Sequence, residues 1–217
     1  MFKNGYFPAN ASVPLVNAKR ENFRIPYISF KNIKMKIRLF PKKDTTASMW
    51  SGGLTYEYMI YPEIANYRDR NFVFRISSAT IEKVPSEFTK FKGYDRYLVM
   101  LDNDLDIEVN KEKKVYEKYE IMEFNSDDEV TSYTKGIDFN WMVSEKIRHH
   151  KLQITQTNQN CNAQIILLFS LHSTVIKINE KPYHLEPYDL LVIENPKKEN
   201  IILHFSNECL YGILESL

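Results

Sequence analysis

The feature that most constrains this chain is a strand-period alternation that sorts apolar and polar side chains onto separate faces. From Phe72 to Thr80 the sequence reads Phe-Val-Phe-Arg-Ile-Ser-Ser-Ala-Thr. A two-residue period is that of a β-strand, whose successive side chains point to opposite faces. Phe72, Phe74 and Ile76 then share one face, and Val73, Arg75, Ser77 and Ala79 share the other. The second face sets a guanidinium and a hydroxyl about 6–7 Å apart along the strand. Lining a cavity, it offers an anion a fixed cationic fork with a neutral donor beside it. Facing solvent, Arg75 pairs with a surface carboxylate instead. The strand alone leaves both readings open.

The same period recurs along most of the chain. Thr55, Glu57 and Met59 alternate with Tyr56, Tyr58 and Ile60 up to Pro62. The apolar run Tyr97 to Leu101, the turn Asp102-Asn103-Asp104 and the alternating Leu105, Ile107 and Val109 predict a hairpin. The charged run Glu112 to Lys118 predicts a solvated loop or edge. Turn signals fall every eight to twelve residues or so, the spacing of a sandwich or barrel, and no convincing amphipathic helix interrupts them. Apolar residues at 43% and charged residues at 26% are those of a globular chain with a sizeable core.

Four segments follow. Residues 1–34, broken by Pro8, Pro14 and Pro26, read as an N-terminal extension or an overcalled start. Residues 35–143 form a first half, the Gln-, Thr- and Asn-rich residues 144–163 a crossover linker, and residues 164–217 a second half.

Several function classes recede. A net charge of +1 gives no global field to draw nucleic acid or an acidic membrane. No apolar run approaches the roughly 20 residues of a membrane helix. The N-terminus carries no apolar core with a small-residue cleavage site. Cys161 and Cys209, far apart, read as two reduced thiols, so the expected location is cytoplasmic. No His-x-His pair is present. His149 and His150 are adjacent and would face opposite ways on a strand, while His172, His184 and His204 are scattered. No metal or cofactor is expected. Neither a Gly-x-Ser-x-Gly elbow nor a Cys beside a His points to a nucleophile, and no catalytic residue is assigned.

Leu185-Glu186-Pro187-Tyr188-Asp189-Leu190-Leu191-Val192-Ile193 is similar to the cupin phrase in which a Pro-Gly-Asp turn leads into a buried strand, with Tyr188 standing at the glycine. Phe124 to Val130 offers an equivalent place in the first half. Four ordered blocks extend the likeness: Trp50-Ser51-Gly52-Gly53-Leu54-Thr55-Tyr56-Glu57, Phe72 to Thr80, Phe88-Thr89-Lys90-Phe91-Lys92-Gly93-Tyr94-Asp95-Arg96, and Gly136-Ile137-Asp138-Phe139-Asn140-Trp141-Met142. On these the chain resembles the HutD/Ves family of bacterial bicupin proteins. Ser51, Lys92 and Trp141 depart from the family's usual Asn, Pro and small aliphatic.

The resemblance implies an all-β fold, a double-stranded β-helix of the RmlC-like cupin type, with two barrel halves in a bicupin arrangement. It also implies an accessory or regulatory role near histidine utilisation. The partner expected is a small carboxylate metabolite, a histidine-pathway intermediate, and a homodimer is allowed. Arg75 and Ser77 are the first ligand-binding candidates, followed by Thr55, Glu57 and Asn140. Trp50 either caps the pocket or packs in the core. Gly52 and Gly53 permit close approach to a ligand or simply a turn. Ala79, Phe88, Gly93, Arg96, Asp138 and Met142 are structural motif positions, with Arg96 expected to pair with Asp95 or Asp138. Two alternatives stand beside binding: a metal-free isomerase or deformylase-like enzyme, and a protein-interaction module.

Overall fold

The alternation resolves into nineteen strands and one 3₁₀ turn in a computed structural model that describes residues 34–217. The expected N-terminal extension, apart from Lys34, lies outside the described residues.

The strands form four antiparallel sheets, two to each half. In the first half a six-stranded sheet runs in the order β2 (Ala47–Trp50), β3 (Gly53–Tyr61), β4 (Phe74–Ile81), β11 (Gly136–Ser144), β6 (Tyr94–Met100), β9 (Ile121–Asn125). It is closed by a four-stranded sheet, β5 (Ser86–Glu87), β10 (Val130–Ser132), β7 (Leu105–Val109), β8 (Glu112–Tyr116). The second half pairs a five-stranded sheet, β1 (Lys36–Phe40), β17 (Leu190–Glu194), β14 (Ile165–Ser170), β19 (Cys209–Leu214), β12 (His150–Thr155), with a four-stranded one. That last sheet is β13 (Gln159–Cys161), β18 (Ile201–Phe205), β15 (Thr174–Ile178), β16 (Lys181–Leu185). Among the described residues no helix is long and apolar enough to cross a membrane.

Three apolar layers follow from the alternation. Leu98, Met100, Ile107 and Met122 fill the first barrel, and Ile166, Leu168, Ile176 and Leu203 the second. The third layer lies between the halves, where Phe74, Ile76, Phe139 and Trp141 of the six-stranded sheet meet Leu167, Phe169 and Val192 of the five-stranded one. Phe139 and Phe169 pack at 4.8 Å between ring centroids, and Tyr58 meets Phe169 edge-on at 5.7 Å. Phe169 and Trp141 are fully buried, and burial of such a side chain contributes about 1.5–3 kcal/mol.

Three expectations need correction. The division into 35–143 and 164–217 is crossed at both ends. β1 lies in the first segment by sequence but pairs along its whole length with β17 of the second half. The expected linker of residues 144–163 supplies β12, paired with β19, and β13, paired with β18. Its Gln, Thr and Asn residues fit there because both are edge strands with a solvated side. The predicted hairpin across Asp102-Asn103-Asp104 does not form, since β6 belongs to the larger sheet and β7 to the smaller. That turn is a corner: Asp102 accepts from the Ile137 amide at 2.9 Å and Asp104 from the Lys118 amide at 2.8 Å, fixing the chain as it changes sheets. The alternation of Phe72 and Val73 also fails. The chain bends at Val73 and β4 starts at Phe74, so Val73 joins the inter-barrel layer and Phe72 packs with Phe91 and Tyr94.

Candidate functional site

Three transverse rows cross the inner face of the six-stranded sheet. The first is Ile60, Arg75, Met142, Arg96 and Phe124; the second is Glu57, Ser77, Asn140, Leu98 and Met122; the third is Thr55, Ala79, Asp138 and Met100. Simple alternation would send Glu57 and Ile60 to opposite faces. A bulge between Glu57 and Met59 inserts Tyr58, and both residues end up facing inward. The Tyr58 hydroxyl donates to the Tyr188 carbonyl at 2.7 Å, tying the bulge to the second half.

Arg75 is buried and firmly held. Its Nε donates to Glu57 Oε2 at 2.6 Å, its Nη1 donates to Ser77 Oγ at 3.2 Å, and its guanidinium lies 4.4 Å from the Tyr67 ring centre. The surface-pair alternative for Arg75 holds in part: its carboxylate partner Glu57 is exposed, while Arg75 itself is buried. Tyr67 was not a sequence candidate, because it sits in an irregular segment with no period to place it.

Arg96 corrects its expectation. It forms no ion pair with Asp95 or Asp138. Its guanidinium is instead sandwiched between Phe88 at 5.5 Å and Phe124 at 5.2 Å, and it reaches the Thr89 carbonyl only at 3.5 Å. The in-register position places Met142 between Arg75 and Arg96, so two guanidiniums share one face of one sheet. Burial pulls the Arg96 pKa down to about 10, against the pull of Tyr67 and Asp138. Its Nε is buried with no hydrogen-bond partner among the described residues.

Two acceptors on β11 are similarly unmet. Asp138 Oδ1 and Asn140 Oδ1 are buried without partners among the described residues. Burial lifts the Asp138 pKa from 3.8 to about 7, with Arg96, the Ala79 backbone and Arg75 holding it down. Unsatisfied buried polar atoms cost roughly 1–3 kcal/mol each, and Arg96 Nε, Asp138 Oδ1 and Asn140 Oδ1 all belong to side chains on this one face.

The remaining candidates divide. Thr55 lies on the same face, beyond Glu57 on β3. Gly52 and Gly53 serve close approach within the protein. A Cβ on Gly52 would stand 2.2 Å from the Trp50 ring, and one on Gly53 would stand 2.2 Å from the Thr80 carbonyl. Trp50 donates to that same carbonyl at 3.3 Å and meets Phe88 edge-on, which favours packing over capping. Gly93 turns the chain into β6 with φ of 89°, a left-handed conformation suited to glycine. Ala79 stands opposite Asp138 and leaves it room.

The donor set does not fit a metal ion. Among the described residues no group of three or more His, Cys, Asp or Glu is clustered to hold one. His150 binds the Tyr97 hydroxyl at 2.9 Å, His204 approaches Glu180 at 3.3 Å and His172 stacks edge-on with Tyr119, in three separate places. Two guanidiniums inside the first barrel oppose a divalent cation there as well.

Two antiparallel barrels that share an apolar layer, the first with an arginine-bearing interior, define a bicupin. The model of the HutD family matches residues 42–210, and the chain belongs to that family. A solved HutD from Pseudomonas fluorescens SBW25 superposes with a TM-score of 0.71 at 22% identity, over 82% of this chain and 97% of that one. A conserved protein of unknown function from Pseudomonas aeruginosa PAO1 gives 0.71 at 20% identity, over 82% and 96%. A bacterial pirin from Escherichia coli, solved in complex with nickel(II), gives 0.56 at 10% identity, over 84% and 100%. At these identities the likeness is one of fold. No match was found among curated proteins.

Proposed function

We propose that the first barrel binds a small metabolite carrying one or more carboxylates, and that binding rather than turnover is its task in the cytoplasm. The observation that carries this reading is the row Arg75–Met142–Arg96, two guanidiniums of which one is an incompletely bonded donor, above the unmet Asp138 and Asn140 oxygens. Arg75, oriented by Glu57, Ser77 and Tyr67, has its Nη2 left to donate to a carboxylate. Arg96 faces it across Met142 and can take a second anionic group. Asn140 and a protonated Asp138 offer donors to the ligand's other polar atoms. Intermediates of histidine degradation carry one or two carboxylates, and the family context favours them. The role that follows is accessory or regulatory.

A thermal-shift panel of histidine, urocanate, formiminoglutamate, formylglutamate and glutamate tests the reading. A ligand at about a hundred times its dissociation constant stabilises by about 2.7 kcal/mol, a melting shift of roughly 5–11 °C for a domain of this size. Arg75→Ala and Arg96→Ala should each weaken the responding ligand about 10- to 100-fold. A panel without any response sinks the reading.

One observation favours a second reading. A buried carboxyl with a pKa near 7 suits general acid–base catalysis. Conversion of a panel metabolite, seen by chromatography and stopped in Asp138→Asn, would replace binding by a metal-free reaction.

A further inference from the structure

The second barrel has an opening of its own. Its edge strands β12 and β13 belong to opposite sheets and do not pair with each other. Between them lies a cavity of about 290 Å³, close to the low end of the roughly 300–1,000 Å³ typical of ligand pockets. Buried Ala163 and Tyr211 form part of its wall, with the half-buried Cys161 thiol beside them.

Opposite charges stand at its rim. Lys151 on β12 is in register with Ile213, and the Glu215 amide donates to the His149 carbonyl at 2.9 Å, so Lys151 and Glu215 are diagonal neighbours on adjacent strands. Such neighbours are about 7–8 Å apart at Cα, within reach of long side chains. Yet among the described residues neither enters an ion pair, and both line the cavity. Gln159 adds an oriented acceptor. Its Nε2 donates to Thr155 Oγ1 and the Thr157 carbonyl, each at 3.1 Å, which leaves its carbonyl oxygen uncommitted.

A simple anion here would meet Lys151 but be repelled by Glu215, and a simple cation would meet the reverse. An apolar guest would leave both of these exposed charges without a partner. A small zwitterion satisfies both. We propose that this cavity is a second binding site, for a free amino acid whose carboxylate meets Lys151 and whose ammonium meets Glu215 and the Gln159 oxygen. The site is separate from the first barrel and does not depend on how that barrel is used.

Cys161 reports on the cavity directly. The full-length protein is treated with iodoacetamide and alkylation is followed by peptide mass spectrometry. Fully buried Cys209, whose thiol burial pushes up to about 12, serves as the slow internal reference. The standard L-amino acids are compared with their methyl esters and N-acetyl derivatives, and calorimetric titration with the same compounds reads binding without the thiol. At least one free amino acid should slow Cys161 labelling about threefold or more and give a calorimetric signal. Both derivatives should fail, and Lys151→Met and Glu215→Gln should each abolish the protection of Cys161. The proposal is overturned if no amino acid slows Cys161 labelling, if esters or N-acetyl forms protect Cys161 equally well, or if protection survives both rim substitutions.

Discussion

Asp138 is a carboxyl group in a place where ionisation is hard. Its folded pKa of about 7 lies above the roughly 3.9 of an unfolded aspartate. Its contribution to stability is therefore fully present below about pH 4 and is lost as pH rises through 7. Melting curves between about pH 5 and pH 8 should fall more steeply in the native protein than in Asp138→Asn; parallel curves would count against it. Affinity for a carboxylate ligand should fall over the same upper range, because ionised Asp138 adds a negative charge beside the guest. Tyr188 shows a different residue-scale constraint. It takes φ of 70°, the left-handed conformation that a glycine would occupy in the cupin turn. What holds it is the next residue: Asp189 accepts from the Glu186 amide at 2.9 Å and the Lys42 amide at 2.8 Å, and the Tyr188 ring stacks on Phe169. Asp189→Ala should cost about 3 kcal/mol by denaturant titration, since two charge-assisted bonds at a buried site disappear together. The turn was legible from Pro187 and Asp189. The aromatic in place of glycine was legible only as an oddity, because its compensation comes from Phe169 and Lys42, both remote in sequence.

At the scale of elements, strands with clean alternation were readable and irregular ones were not. Arg75, Ser77 and Ala79 on β4 and Asp138, Asn140 and Met142 on β11 point inward as their period requires. The bulge at Tyr58 and the bend at Val73 left no mark in the local pattern, since each is imposed by pairing to a partner strand. Arg96 was misread for a related reason: its charge suggested a carboxylate partner, whereas its neighbours are the ring of Phe88 and that of Phe124, in register beside it on β9. The Gly52-Gly53 pair makes an element-scale prediction. The β2–β3 turn presses Gly53 against the end of β4, so Gly53→Ala must push two strands apart or lose the Leu54 amide bond to Thr80 Oγ1 at 3.0 Å. Overpacking of this kind costs about 1–3 kcal/mol, and urea unfolding should show a loss in that range. An unchanged midpoint would mean that the turn relaxes freely.

For the whole molecule, the layer between the barrels makes the two halves one thermodynamic unit. Phe169 belongs to the second half but packs against Phe139 and Tyr58 of the first. Calorimetry should record a single unfolding transition, and Phe169→Ala should lower it as one peak, at a cost of about 3–5 kcal/mol. Two separable peaks would show independent domains. β1 adds a consequence for synthesis. Lys36 leaves the ribosome 158 residues ahead of its partner Glu194. At about 5–20 residues per second the strand waits on the order of ten to thirty seconds for its mate. Through that interval the nascent chain carries β1 as an unpaired strand, and the five-stranded sheet captures it only once β17 has been made.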